Sequence, residues 1–283
     1  MSNITSAIDE LKIIYQEIID GCSISSDGKV FFRHLTELDY IEVLRYRMVS
    51  FKRYVKEGLP SEQERLKTLF ETEEWNQDKE DRITSLRLTI SDNEKNLSKF
   101  VIAQQQAGIR KAISNDKEEL LALLVDRHNM MGMTADELSN KESNMFTLYL
   151  SLYSDRACKV PLFKTFNEFE SSEGQESDRL AEDMDTCLQK FSELKIRQVS
   201  IMPFFLNNFS YSKDNIHSFL QKPTVSFTSY QTLLFSLGQR NLNILSQSQG
   251  SPPEMYSDVS PNDVLTWYDQ QYSVILGKRN AAK

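Results

Sequence analysis

The chain has 283 residues, 40% of them apolar and 26% charged, with nine glycines and seven prolines. That is material for one large domain or two small ones, too apolar for a disordered chain and too poor in turn residues for a β-sandwich or barrel. Thirty-three basic against 41 acidic residues leave a net charge of −8, which argues against a surface built to neutralise phosphates. No apolar run approaches a membrane span, and the amino-terminal residues lack the basic start and apolar stretch of a signal peptide. A cytoplasmic protein is expected.

The apolar spacing of Ile4, Ile8, Leu11, Ile14 or Tyr15, and Ile18 predicts an opening amphipathic helix that Gly21 stops. Asp27-Gly28 leads into Val30-Phe31-Phe32, the best strand candidate. Thr36 with Asp39 caps a helix over Glu37 to Glu57, and Gly58-Leu59-Pro60 ends it. Ser61 with Glu64 opens a shorter helix through Phe70, and Trp75 anchors the next corner.

From Asp78 to Phe100 the apolar positions narrow to Ile83, Leu86, Ile90, Leu97 and Phe100, the pattern of a coiled-coil seam. A second arm, Gln106 to Asn129, carries Ile109, Ile113, Leu120, Leu121, Leu124 and His128. The short connection near Val101 to Gln105 makes the arms turn back on each other as an antiparallel hairpin. Spacing alone leaves open whether its seam closes within the chain or faces a partner.

Thr134 and Glu137 cap a helix with Leu138, Met145, Leu148, Tyr149 and Leu152 on one face, and Thr165 and Glu168 cap one more turn. The polar run Glu170 to Ser177 is the expected exposed loop and internal boundary. A long helix then runs from about Leu180 to Ile201, where Pro203 breaks or kinks it. Phe204, Phe205 and Phe209 belong to a core, and Thr228 caps a helix from Ser229 to about Leu245 in which Gly238 is a cost unless a close neighbour needs the space. After a Ser/Pro-rich linker, Ser260-Pro261-Asn262-Asp263 starts a final helix that reads as detachable and ends at Gly277.

The expected fold is mainly all-α: a helical bundle with an antiparallel coiled-coil hairpin and at most one short β-hairpin. The expected regions are 1–77, an amino-terminal helical part; 78–130, the hairpin; 131–247, a second helical domain; and 248–283, the linker and a terminal docking helix.

Chemistry is scarce. His34, His128 and His217 stand far apart without metal-ligand spacing, and Cys22, Cys158 and Cys187 show no CxxC or Cys/His pattern, so reduced, packed thiols are expected. Phosphate-loop, dinucleotide, HExxH and GxSxG motifs are missing. The acidic groups at 71–78, 116–119 and 182–185 read as solvated helix faces. Arg45, Arg47, Lys52, Arg53 and Lys56, with Tyr46 and Tyr54 between them, form a basic group that could meet an acidic partner or nucleic acid. No catalytic, metal-binding or cofactor-binding residue is assigned, and no cofactor is expected.

The run GLPSEQERLKTLFETEEWNQDKEDRI, with its helix stop, capped helix, tryptophan corner and acidic arm, resembles segments of uncharacterised helical proteins of tailed bacteriophages. So does IRQVSIMPFFLNNFSYSKDNIHSFLQKPTVSFTSYQTLLFSLGQRNLNIL, and the similarity spans roughly Val30 to Leu245. The resemblance implies a virion component or an assembly factor, in the host cytoplasm or the virion, and carries no catalytic residues. The leading expectation is a non-enzymatic interaction protein that binds other virion or assembly subunits, or itself, through the hairpin and the last helix, with Trp267, Tyr268, Tyr272 and Leu276 as partner-binding residues. The alternative is a nucleic-acid-associated regulator or an enzyme with a site assembled from distant residues, His34, the Arg45 to Lys56 helix and His128 being the first places to look.

Overall fold

The structure is a computed structural model that describes residues 2–97, 103–172, 174–212, 215–248, 250–253 and 259–281. Among the described residues it has thirteen α-helices and one small antiparallel sheet, a mainly all-α fold. Packing divides the chain into two compact units, one continuous (45–143) and one discontinuous (1–44 with 144–283).

Helix α1 (Ser2–Asp20) ends at Gly21, whose φ of +78° is open to glycine and strained for other residues. Strand β1 (Cys22–Ile24) follows at once and pairs with β2 (Phe31–Arg33), Ser23 opposite Phe32. At the start of α2 (Glu37–Lys56) the Thr36 hydroxyl and amide both donate to Asp39 Oδ2 at 2.7 Å, and Arg33 clamps the same carboxylate with two bonds of 2.9 Å.

In the continuous unit, Ser61 and Glu64 form the expected reciprocal capping box of α3 (Glu62–Glu71). The Arg65 guanidinium reaches from α3 to the last carbonyls of α5 (Ala103–Met131), those of Met130 and Met131. Helices α4 (Gln77–Leu97) and α5 are the hairpin arms; their connection, 98–102, lies outside the described residues. The seam is closed within the chain: Ile83, Leu86, Ile90 and Ile113 are all buried, with Leu120, Leu123 and Leu124 packed beside Ile83 and Trp75. Ion pairs Arg82–Glu119 (2.6 Å), Glu94–Lys117 (2.7 Å) and Glu80–Arg127 (2.6 Å) join the arms in antiparallel order. They fix register more than stability, because exposed pairs contribute about 1 kcal/mol or less each.

Helix α6 (Ala135–Ser151) starts at Thr134, whose hydroxyl accepts the Glu137 amide. Beyond it the discontinuous unit continues. Leu152–Tyr153 forms β3 on the free edge of β2, so the sheet has three strands where one hairpin at most was expected. A two-residue strand has no period of its own; the unpaired β2 edge makes it.

Helices α7 (Phe166–Glu170) and α8 (Gly174–Gln189) take up most of the polar run expected to be a loop. Residue 173 lies outside the described residues. Ser177 donates to the Gly174 carbonyl and is buried with Leu180 and Cys187 on the inner face of the helix, whereas Gln175 and Glu176 lie on its outer face. The expected single helix from 180 to 201 is likewise two, because Ser192 caps α9 (Glu193–Ser200) by accepting the Lys195 amide. Pro203 opens α10 (Pro203–Ser210) at a position where its missing N–H costs nothing. After the short α11 (Ile216–Leu220), the Thr228/Gln231 capping box starts α12 (Ser229–Gln247).

Residues of α1, α9, α10 and α12 form the larger core of this unit, and Val30, Phe32, Leu148, Phe169 and Leu180 form a second cluster. A Cβ at Gly238 would lie 2.8 Å from Phe209 Cζ and 2.9 Å from Phe205 Cζ. Both rings are fully buried, so Gly238→Ala is expected to cost a net ~1–2 kcal/mol despite better helix propensity. A lowered urea midpoint with unchanged slope would record it.

The final helix, α13 (Pro261–Ala281), is part of this core and not a detachable tail. Val264, Leu265, Tyr268 and Ile275 are each buried, because the helix lays a full apolar stripe against α9 and α12. It runs through Gly277, since one glycine in a helix interior costs only about 1 kcal/mol. Most of the preceding linker, 254–258, lies outside the described residues.

Candidate functional site

Where α1 ends, its last carbonyls are held by side chains from far along the chain. Lys222 Nζ donates to the carbonyls of Ile19 and Asp20 at 3.0 Å each, and Gln231 Nε2 to those of Ile18 (2.9 Å) and Ile19 (3.1 Å). This fixes the point where β1 begins, and β1 places Cys22 and Ser23.

Ser23 joins a buried histidine and a half-buried carboxylate. Its hydroxyl donates to Glu17 Oε2 at 3.1 Å, which leaves its oxygen to accept from His34 Nε2 at 2.9 Å. The imidazole is therefore the Nε2–H tautomer, and its buried Nδ1 has no hydrogen-bond partner among the described residues. Phe191 and Tyr230 meet the ring edge-on at 4.8 and 5.2 Å. Burial, with the Lys222 ammonium nearby, pushes the His34 pKa down to about 4 from an ordinary 6.5. Burial pushes the Glu17 carboxyl up, against Lys190, Ser23 and Arg156, which draw it down. A serine that gives its proton to a carboxylate and accepts from histidine is not an activated nucleophile, so the chain Glu17–Ser23–His34 is structural.

The titration has a consequence for stability. Above pH 6.5 His34 is neutral in both folded and unfolded chains; as pH falls, the unfolded chain takes up a proton that the folded chain refuses until about pH 4. Stability is expected to fall across that window by up to about 3 kcal/mol. Urea midpoints at pH 7 and pH 5 should differ in the wild type by more than in His34→Gln.

Beside this chain lies a thiol pair. Cys22 Sγ is 3.3 Å from the carbonyl oxygen of Arg156 and Cys158 Sγ is 3.9 Å from the same oxygen, so the two thiols converge on one acceptor. The Arg156 guanidinium pairs with Asp20 at 2.6 Å. Cys158 sits in a tight loop: Asp155 Oδ1 accepts the amides of Lys159 (3.0 Å) and Val160 (2.7 Å), and Cys158 has φ +50°. A cleft of about 230 Å³, lined in part by Ile13, Glu17, Asp20, Cys22 and Arg156, opens beside Cys22.

Of the other sequence candidates, Cys187 is buried with its thiol on the Ile24 carbonyl at 3.2 Å, and burial pushes its pKa up. His128 is exposed, 3.8 Å from Glu137, and His217 contacts the Lys222 carbonyl and the Thr224 hydroxyl. Among the described residues no group of three His, Cys, Asp or Glu could hold a metal ion. In the basic group, Arg53 and Tyr54 both bond Glu142. On α13, Tyr268 is fully buried and Trp267 and Tyr272 pack against the core, leaving Leu276, 39% exposed, as the outward member of the four expected partner residues.

Among the described residues, α2 carries more exposed large apolar side chains than any other element. This 20-residue helix has Ser50 as its one buried residue, while Leu38, Ile41, Leu44, Met48 and Val55 are 41% to 59% exposed. Their spacing of three, four and seven places them on one face, with Arg45 and Lys52 between them and Ser50 opposite. The chain matches no family model, no curated protein and no solved structure.

Proposed function

We propose that the chain is a non-enzymatic interaction protein, a tailed-phage virion component or assembly factor, that binds a protein partner through the exposed face of α2. The single observation behind the interaction is that face: an apolar stripe along a helix that buries almost nothing of its own. The phage assignment draws on the resemblance of the runs 58–83 and 196–245. The hairpin is the weaker surface, its seam being filled by its own arms. No described helix is long and apolar enough to cross a membrane.

Leu44→Lys combined with Met48→Lys should leave the fold intact, because both side chains are more than half exposed. Tagged protein recovered from infected cells should bring virion or assembly subunits in the wild-type form and lose them in the double variant, as read by mass spectrometry. Equal recovery by both forms would remove α2 as the docking face. Recovery of no such subunit by either form would remove the phage reading.

A second reading rests on a different observation, the convergence of Cys22 and Cys158 on the Arg156 carbonyl beside a cleft. It is an enzyme or regulator whose site is assembled from residues distant in sequence.

A further inference from the structure

Cys22 and Cys158 come from separate parts of the chain and are brought together by two independent devices. The side-chain capping of α1 sets Cys22 at the head of β1, where it is 4% exposed. The Asp155 clamp holds Cys158 in a left-handed conformation that residues other than glycine rarely adopt. Neither thiol is covalently bonded. Both face one carbonyl oxygen, at 3.3 and 3.9 Å, and the cleft at Glu17, Asp20 and Arg156 leads to Cys22. Cys187, by contrast, is buried on a carbonyl of its own.

We propose that Cys22 and Cys158 are a redox-active dithiol that closes to a disulfide on reaction with a hydroperoxide admitted through the cleft. The Cys22 thiolate attacks one peroxide oxygen and the O–O bond breaks. Cys22 becomes a sulfenic acid, and the departing oxygen takes up the proton that Cys22 shed. The sulfur of Cys158 then attacks the sulfur of Cys22. The S–O bond breaks, hydroxide leaves with the proton of Cys158 as water, and the S–S bond forms. For hydrogen peroxide, two thiols and one peroxide give one disulfide and two waters, with two electrons passing from sulfur to oxygen.

The roles follow from the surroundings. Cys22 is the thiol the cleft reaches, and a thiolate there would accept a hydrogen bond from the Cys158 thiol, which draws its pKa down with help from the Arg156 cation and against burial and the Asp20 and Glu17 carboxylates. Cys158, the donor in that bond, is pushed the other way and is the half-exposed member of the pair, suited to resolve the sulfenic acid. A small thiol would reopen the disulfide by exchange.

The experiment uses the full chain, reduced, desalted, treated with hydrogen peroxide, alkylated and digested without reductant. The expected result is a linked Cys22–Cys158 peptide, lighter by two hydrogens than the sum of its halves. It should persist in Cys187→Ser and be lost in Cys22→Ser and Cys158→Ser. In Cys158→Ser, dimedone should trap a sulfenic acid on Cys22, whereas Cys22→Ser should leave Cys158 unlabelled. Circular dichroism of each serine variant separates lost chemistry from lost fold. The proposal is overturned if both thiols are alkylated free after a treatment that oxidises a small reference dithiol. It is equally overturned if Cys22 links to Cys187 or to another chain. Dimedone on Cys158 in the Cys22→Ser chain would overturn the assigned roles.

Discussion

A chain ending at Gly250 is expected to lose the fold of the discontinuous unit, not merely a tail. Deleting 251–283 removes Val264, Leu265, Tyr268 and Ile275, each 6% exposed or less, from the larger core. Each such side chain contributes about 1.5–3 kcal/mol by burial, so about 6–12 kcal/mol is withdrawn from a domain whose whole stability is about 5–15 kcal/mol. The same deletion strands polar groups on α9: Gln198 loses its 2.7 Å bond to Asn262 and Arg197 its ion pair with Asp269. Hydrogen exchange should show α9 and α12 unprotected while α4 and α5 exchange as in the intact chain. Wild-type protection of α9 and α12 in the shortened chain would show α13 to be an appendage after all.

In the continuous unit the largest single-residue effect is expected from Trp75→Ala, about 3–5 kcal/mol. The indole is 2% exposed at the corner between α3 and α4, packed with Leu69, Ile83 and Met131. Its Nε1–H donates to Glu80 at 2.8 Å, and Glu80 also receives Arg127 from the other arm of the hairpin. Alanine therefore leaves a cavity and removes one of two donors that orient the carboxylate joining the arms. Trp75→Phe keeps most of the volume and loses the donor, so its cost should fall between wild type and alanine. Chemical denaturation of both variants, with exchange read at α4 and α5, tests this; equal costs for the two would show that the hydrogen bond and not the packing sets the effect.

Helices were legible because their signals are local. Ser61 with Glu64 and Thr228 with Gln231 each satisfy two amides within four residues, and that pattern is visible in a string of letters. Seam periodicity located the hairpin arms for the same reason, but whether the seam closes depends on side chains meeting across the arms. The break at Ser192 was missed because the apolar positions on either side of it keep helical spacing. The thiol pair had no sequence signal at all. It depends on a glycine stop, a lysine and glutamine capping from afar, and an aspartate turn, none of which mentions cysteine. The α2 face had a signal that was read only in part: its basic residues stood out, and the apolar stripe between them reads equally as core until the helix is seen to bury so little.

The division into a continuous and a discontinuous unit bears on how the chain is made. Residues 45–143 are one continuous stretch built largely on a hairpin of neighbouring helices, so this unit can begin to fold as soon as residue 143 has left the ribosome. The other unit begins with α1, β1 and β2 and cannot close its core until α13 is synthesised. Through most of translation Leu11, Ile14 and Ile18 therefore wait without the surfaces that will cover them, which makes α1 the segment a nascent-chain chaperone would meet first.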